Sequence, residues 1–234
     1  MLGFDLETTG TDPQEALPVS FAMVGFEQGR AVKSRVGLVN PGKPIPPEAT
    51  GVHGITDRMA AERGGDLERS VMGIWGYLMD VEKMGAPVVG MNLRYDLTIV
   101  DTLLRRFTKH GLRELGWQGL CVDALVLDRH LDRYRRGRRK LAALCHEYQI
   151  AYEDAHNARA DVVAAVDVVR AIAARHAEVR ESSLQQLHLL QVLAYDEWAV
   201  EFSKYRVEHG EAPLDDAEYG WPLPGERPGE GGTT

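Results

Sequence analysis

The chain has 234 residues, of which 44% are apolar and 26% are charged, and its formal net charge is −8. This composition is ordinary for a soluble globular protein, and the length suits one domain with appendages. The sequence shows no run of about 18 apolar residues and no secretory leader pattern, so export and membrane insertion lack support and a cytoplasmic location is expected. Cys121 and Cys145 lie in apolar stretches without zinc-ligand spacing, and both are predicted to be reduced core residues.

The pattern along the chain predicts a hairpin followed by alternating strands and helices. Strands are expected at residues 1–6, 19–27, 30–40, 86–92 and 119–123. Helices are expected near residues 67–84, 97–104, 124–132, 140–148 and 158–176. This order indicates a three-layer α/β/α fold around a mixed five-stranded sheet.

The first strand ends in an acidic motif, Asp5-Leu6-Glu7-Thr8-Thr9-Gly10. Asp5 and Glu7 are two residues apart on a strand, so their side chains point to the same side. Paired carboxylates suit hard divalent cations such as Mg²⁺. Taken alone, such a pair is more often a solvated strand end, so the rest of the chain decides its meaning.

Two further acidic positions, Asp96 and Asp161, follow at points of the chain where their side chains can reach the same edge of the sheet as Asp5 and Glu7. Asp96 comes directly after the predicted strand 86–92, at the turn into a helix. His156 and Asp161 would diverge by about 140° on one continuous helix. We therefore expect His156 in the loop before the helix and Asp161 in its first turn, which gives a fixed metal ligand beside a mobile base.

The order of five residues resembles the motifs of the DEDDh (DnaQ-like) 3'-5' exonucleases, a family typified by the proofreading epsilon subunit of bacterial DNA polymerase III. These residues are Asp5, Glu7, Asp96, His156 and Asp161. Residues 40–57 are similar to the intermotif loop of this family almost residue for residue, and the resemblance covers about residues 2–178. Met91 departs from the pattern, since many relatives have His there. The resemblance implies the ribonuclease H-like version of the fold.

The resemblance also implies a metal-dependent 3'-5' exonuclease with two divalent cations, Mg²⁺ or Mn²⁺. Its four carboxylates would hold the cations, and His156 would act as the general base. The residues expected to contact the substrate are Thr8, Val52, His53 and Tyr95. The expected substrate is a nucleic acid 3' end, with single-stranded or frayed DNA favoured over RNA, and nucleoside 5'-monophosphates are the expected products. Asn92 is predicted to be a structural turn residue.

Other functions remain open from the sequence. RNA 3'-end trimming, as in ribonuclease T and oligoribonuclease, belongs to the same reaction class, because no contact to a 2'-hydroxyl is identifiable. A nuclease fold retained as a docking module of a replication or repair complex is a second alternative. Hydrolysis of phosphomonoesters or small nucleotides by the same metals is a third and less favoured one.

The chain is predicted to divide into an exonuclease domain at residues 1–178, an amphipathic helix at 179–207 and an acidic, Pro/Gly-rich disordered tail at 208–234. A polymerase or repair partner would bind through this helix or tail. The basic segment, defined as residues 133–140, is the chain's candidate for phosphate contacts. A solvated loop between helices is an equally favoured interpretation of that segment.

Overall fold

Within residues 1–152 and 157–225, which the structure describes, six strands form one mixed sheet. The structure is a computed structural model. Its strands are β1 (Leu2–Thr8), β2 (Pro18–Glu27), β3 (Arg30–Asn40), β4 (Gly65–Asp66), β5 (Val88–Gly90) and β6 (Cys121–Asp123). The sheet order is β4-β3-β2-β1-β5-β6, with an antiparallel β1-β2-β3 half and parallel additions on both sides.

Helices pack on both faces of this sheet. They are α1 (Pro47–His53), α2 (Asp57–Arg63), α3 (Leu67–Lys83), α4 (Leu93–Thr108), α5 (Ala124–Leu131), α6 (Leu141–Tyr148), α7 (Ala158–Arg175), α8 (Ala177–Glu181) and α9 (Leu184–Glu208). The predicted three-layer α/β class with a mixed sheet is confirmed. The described residues form six strands rather than five, because the two-residue β4 joins the end of β3.

The alternation of side chains along β1 determines what each face of the sheet carries. One face packs with α3 and α4 through Leu2, Phe4 and Leu6. On the other face α7 comes so close that a Cβ at Gly3 would lie 2.4 Å from Val162 Cγ1. Residues two apart share a face, so Asp5 and Glu7 also lie on the α7 face.

Two short helices, α1 and α2, follow the proline-rich loop, where the sequence predicts no element. Pro47 stands in the first turn of α1, and the Thr56 hydroxyl caps α2 by accepting a hydrogen bond from Met59 N at 3.2 Å. α1 has no buried residue and α2 buries only Ala60. Neither helix therefore has the apolar periodicity from which helices are predicted.

The carboxy-terminal part of the chain packs on the domain. α9 begins at a capping box formed by Ser183 and Gln186. Its buried side chains are Leu187, Gln191, Tyr195, Ala199 and Ser203. The other side of the helix exposes Leu189 and Leu193, so a partner surface on this helix stays a prediction.

The carboxy-terminal segment, defined as residues 211–225, differs from the predicted disorder. Its apolar side chains are buried in the same core as α3 and α4, and they are Leu214, Tyr219, Trp221 and Leu223. They are irregularly spaced among prolines, glycines and acids, which is why composition alone indicates disorder.

Cys121 and Cys145 are free and buried, as predicted. Across the part of the chain that the structure describes, no helix combines the length and the apolar character that a membrane crossing requires.

Candidate active site

Three carboxylates from β1 and α7 meet at one edge of the sheet. Asp5 and Glu7 lie in the second half of β1, and Asp161 lies in the first turn of α7, as expected. One carboxylate oxygen from each residue lies within 4.8 Å of those of the other two. The start of α7 is fixed by Asn157, whose side-chain oxygen accepts a hydrogen bond from Arg159 N at 3.1 Å.

Asp96 lies beside these carboxylates, although it is not one of the mutually close set that the described residues form. It is in the first turn of α4 and is 3% exposed. Its Oδ1 accepts a hydrogen bond from the backbone N–H of Leu6 at 3.0 Å. Because Leu6 stands between Asp5 and Glu7, this bond fixes the start of α4 against the acidic strand.

The carboxyl groups share a region that disfavours their charged forms. Burial, and then the charges of Asp96, Asp161 and Glu7, raise the pKa of Asp5 well above its ordinary value. Burial and the Asp161 charge raise the pKa of Glu7 to about 8. Burial also raises the pKa of Asp96, although the Leu6 N–H opposes it. Such a set of carboxylates fits divalent cations, because these cations prefer carboxylate oxygens as ligands. The positive charge of a bound cation also offsets the repulsion between the carboxylates.

His156, the predicted general base, lies outside the described residues, as do residues 153–155. Its role therefore stays a prediction. The structure resumes at Asn157, the N-cap of α7.

The predicted substrate residues fall into two pairs. The Thr8 and Tyr95 hydroxyls are hydrogen-bonded to each other at 2.6 Å, and the carbonyl oxygen of Gly10 accepts a hydrogen bond from this pair. Burial raises the pKa of Tyr95 to about 12, so its hydroxyl keeps its proton at neutral pH. Val52 and His53 lie at the end of α1 instead, and the Val52 side chain is 53% exposed, so it is not part of the core.

Asn92 is a turn residue, as predicted. It has a left-handed backbone conformation with φ of 65° at the start of α4. Its N–H and that of Leu93 donate to the two carboxylate oxygens of Asp123, at 2.9 and 2.8 Å. Asp123 thereby fixes the turn that leads to Tyr95 and Asp96.

Tyr152 is a contact that the sequence did not indicate. Its hydroxyl donates to Asp161 Oδ1 at 2.6 Å. A tyrosine in an irregular stretch after α6 matches no ligand spacing, so no sequence signal identifies it. The bond restrains the rotation of the Asp161 carboxylate next to Asp5 and Glu7.

We expect Tyr152→Phe to weaken Mn²⁺ binding about tenfold, because partners that orient a metal ligand contribute on this scale. Isothermal titration calorimetry without nucleic acid measures the effect. Tyr148→Phe is the matched control, since the Tyr148 hydroxyl donates to Asp128 rather than to the carboxylate cluster. Equal Mn²⁺ affinity in wild type and Tyr152→Phe would show that the contact does not orient Asp161.

Arg94 connects the active-site turn to the carboxy-terminal segment. It is 8% exposed, and its guanidinium donates to the carbonyls of Gly220, Ala217 and Tyr219 at 2.6, 2.5 and 3.0 Å. The Tyr195 hydroxyl of α9 adds a bond to the carbonyl of Glu218 at 3.0 Å. The residue directly before Tyr95 is therefore held by the other end of the chain.

Replacing Arg94 by Met is expected to lower the free energy of unfolding by roughly 2–4 kcal/mol, because charged hydrogen bonds to three carbonyls are lost. Urea unfolding followed by circular dichroism measures the change. The exposed Arg136→Met is the control and is expected to change stability little. Similar midpoints for the two variants would contradict a structural role for Arg94.

The basic segment is partly committed to internal ion pairs. Arg133 pairs with Glu197 and Glu201 of α9. Arg135 and Arg139 both pair with the fully buried Asp128. The other exposed cations of the segment are Arg136, Arg138 and Lys140. Much of the charge thus holds an interhelical loop together, and phosphate contacts by the remainder stay a prediction.

The family model described as "Exonuclease" matches residues 2–169, which is most of the chain. The chain belongs to this exonuclease family, and the resemblance to the DEDDh (DnaQ-like) exonucleases is confirmed.

Curated relatives carry names that refer to bacterial DNA polymerase III. The PolC-type DNA polymerase III of Lacticaseibacillus paracasei is 29% identical, over 69% of this chain and 10% of the relative. A DNA polymerase III subunit epsilon-like protein of Rhodobacter capsulatus is 34% identical, over 53% of this chain and 19% of the relative. The chain therefore spans only a small part of the length of these relatives.

Solved structures with the same fold include exonuclease I. The E. coli enzyme in complex with a dA16 oligonucleotide has a TM-score of 0.61 at 21% identity, over 77% of this chain and 42% of that chain. Exonuclease I from Methylocaldum szegediense has a TM-score of 0.61 at 25% identity, over 87% of this chain and 45% of that chain. These likenesses confirm the predicted ribonuclease H-like version of the α/β fold.

Proposed function

We propose that the chain is a metal-dependent 3'-5' exonuclease that acts on single-stranded or frayed DNA. The observation that carries the proposal is the cluster of Asp5, Glu7 and Asp161, with oxygens within 4.8 Å of one another. Membership of the exonuclease family supports it. DNA is favoured over RNA because relatives are named as DNA polymerase III components and a structural neighbour is in complex with dA16.

We assign two divalent cations, Mg²⁺ or Mn²⁺, to this site. Asp5, Glu7 and Asp161 would hold one cation, and Asp5 with Asp96 would hold the second, directly or through water. When bound, such cations polarise the attacking water and neutralise charge on the departing oxygen. His156 is assigned as the base that accepts the water's proton, since an imidazole with a pKa of about 6.5 suits this task near neutral pH.

The proposed reaction is hydrolysis of the last phosphodiester bond. The water oxygen bonds to phosphorus, the bond from phosphorus to the 3' oxygen breaks, and that oxygen takes up a proton. The products are a nucleoside 5'-monophosphate and a strand one nucleotide shorter with a new 3'-hydroxyl. Thr8, Val52, His53 and Tyr95 are assigned to the last nucleotide, with its base between Val52 and Tyr95, because stacking accepts any base.

The test is product analysis on 5'-labelled single-stranded DNA and on RNA of the same sequence, with Mg²⁺, Mn²⁺ or a chelator. Wild type is compared with His156→Ala and Asp161→Asn. Asp167→Asn is the matched control, because Asp167 lies on the same helix and pairs with Arg170 at 3.1 Å. Chromatography of the released nucleotides identifies the phosphate position.

The expected result is a metal-dependent ladder of products that are shortened from the 3' end. This ladder is expected to be lost in His156→Ala and Asp161→Asn and kept in Asp167→Asn. If RNA is shortened faster than DNA, the assigned substrate would be RNA 3' ends instead of DNA 3' ends. No shortening of either polymer with any metal would overturn the proposal and favour a docking module on a nuclease fold.

A further inference from the structure

A groove of about 480 Å³ lies between α3 and the outer part of the β2-β3 hairpin. Its apolar lining includes Phe21, Met23 and Ile74. Gly73 of α3 keeps the groove open, since a Cβ there would meet no atom within 4 Å. Beyond Arg35 the groove continues into a second hollow of about 360 Å³.

The strand that borders this groove has a free edge. β4 pairs only with Val39 and Asn40 of β3, so within the described ranges no strand covers the outer side of residues 30–38. Residues 30–36 are all exposed. Unpaired N–H and C=O groups along a strand edge are a template for another extended strand.

The groove is positively charged in a chain of net charge −8. The guanidinium of Arg35 lies over the Tyr77 ring, 4.2 Å from its centroid. Arg69 lines the same groove, whereas Lys33 lines the second hollow together with the acids Glu27 and Asp80. No described carboxylate lies within 4.0 Å of these three cations. The nearby Asp66 carboxylate already caps α3 by accepting a bond from Arg69 N at 2.9 Å. The groove therefore attracts acidic groups.

The sheet separates this groove from the carboxylate cluster. Phe21 and Met23 pack on the face that carries α3 and α4. Asp5 and Glu7 lie on the face that carries α7, as the alternation along β1 requires. A nucleic acid end held at the carboxylates is thus on the other side of the sheet, which favours a protein rather than a nucleic acid in the groove.

We propose that the groove and the free edge of β3 bind an extended peptide segment of a partner protein, whose groove-facing side chains, at every second position, include both apolar and acidic residues. Its backbone pairs with β3, its apolar side chains enter the groove beside Met23 and Ile74, and its carboxylates meet Arg35 and Arg69. Main-chain pairing gives affinity in such complexes, and the side-chain pockets give specificity. A bound partner leaves the active site accessible.

A second copy of this chain suits the surface less well. Two β3 edges placed side by side would bring Arg30, Lys33 and Arg35 of one copy close to the same residues of the other. Like charges on neighbouring strands are destabilising. An acidic peptide removes this repulsion and pairs the charges instead.

The proposal is tested by selecting phage-displayed random 12-residue peptides that bind the full chain. Fluorescence anisotropy then measures the affinity of the enriched peptides for the wild type and the variants. Gly73→Leu fills the groove, and Arg35→Glu reverses its charge. Gly76→Leu is the matched control, because a Cβ there also meets no atom within 4 Å yet the residue lines neither hollow. Leu is favoured over Gly in a helix by up to about 1 kcal/mol, so both α3 variants are expected to fold. Sedimentation, labelled single-stranded DNA binding and exonuclease activity are measured on all variants.

The expected result is enrichment of peptides that carry apolar and acidic residues two positions apart, so that both kinds of side chain face the groove. Binding is expected to be at least about tenfold weaker for Gly73→Leu and Arg35→Glu and unchanged for Gly76→Leu. Exonuclease activity is expected to be the same in all variants, which keeps this outcome separate from that of the proposed function. No enrichment, or equal binding to Gly73→Leu, would overturn the proposal. A dimer lost in Gly73→Leu would assign the groove to a second copy, and weakened DNA binding in that variant would assign it to nucleic acid.

Discussion

Asp5→Asn is expected to lower the exonuclease rate at least about 10³-fold, because a lost charge at a shared metal ligand removes roughly 4 kcal/mol of transition-state stabilisation. Asp5 interacts electrostatically with the other three acids of the site. Burial is the largest cause of its raised pKa, and the charges of Asp96, Asp161 and Glu7 raise it further. The same substitution removes a charge from a repulsive cluster. We therefore expect the metal-free variant to be at least as stable as wild type.

Single-turnover kinetics on a 5'-labelled oligonucleotide, together with thermal unfolding in chelator, measures both effects. Asp12→Asn is the control, because Asp12 is an exposed acid in the loop after β1 whose carboxylate accepts a local hydrogen bond from Gln14 N at 2.9 Å and does not belong to the cluster. A rate for Asp5→Asn within about tenfold of wild type would show that the cluster does not hold the catalytic cations.

The affinity for divalent cations is expected to fall as the pH is lowered from 8 to 6. Glu7 has a pKa of about 8 in the metal-free protein, so a cation must displace its proton throughout this range. About half of the Glu7 carboxyls carry a proton at pH 8 and nearly all do at pH 6, so displacing this proton alone is expected to lower the affinity about 50-fold over this range. Mn²⁺ titration calorimetry in two buffers of different ionisation enthalpy counts the protons released.

The stability of the metal-free protein has the opposite dependence on pH. A folded-state pKa above the unfolded value gives stability that is complete below the unfolded pKa and is lost as the pH rises through the folded one. For Glu7 this window runs from its ordinary value of 4.5 to about 8. Saturating Mn²⁺ at 100 times its dissociation constant is expected to restore about 2.7 kcal/mol, or roughly 5–10 °C in melting temperature.

Asp161→Asn provides the control for both measurements, because it removes the charge that, after burial, raises the pKa of Glu7. Its metal-free stability is expected to vary less with pH. An Mn²⁺ affinity that is constant between pH 6 and 8 would contradict protonated carboxylates in the metal-free site.

The fold and the acidic residues were predictable because they depend on local regularities. The alternation along β1 predicts the shared direction of Asp5 and Glu7, and the turn angle of a helix predicts Asp161 in the first turn of α7. The apolar spacing in α3, α4 and α7 predicts those helices within a few residues. The family membership depended on the order of the motifs and not on composition.

The other features depend on contacts between distant parts of the chain. Tyr152 meets Asp161 through a turn that no periodicity describes. Arg94 looks like a surface cation in the sequence, but it is buried by carbonyls more than 120 residues away. The carboxy-terminal segment resembles a disordered tail because its few buried side chains are irregularly spaced. None of these contacts leaves a pattern in the residues nearby.

The hydrogen bonds of Arg94 make the carboxy-terminal segment a structural part of the domain that carries the candidate active site. The Arg94 side chain binds residues 217–220, and the two residues that follow Arg94 in the chain are Tyr95 and Asp96 of the candidate active site. A domain boundary drawn at residue 178, where the family resemblance ends, cuts this connection and leaves a buried guanidinium without its three acceptors.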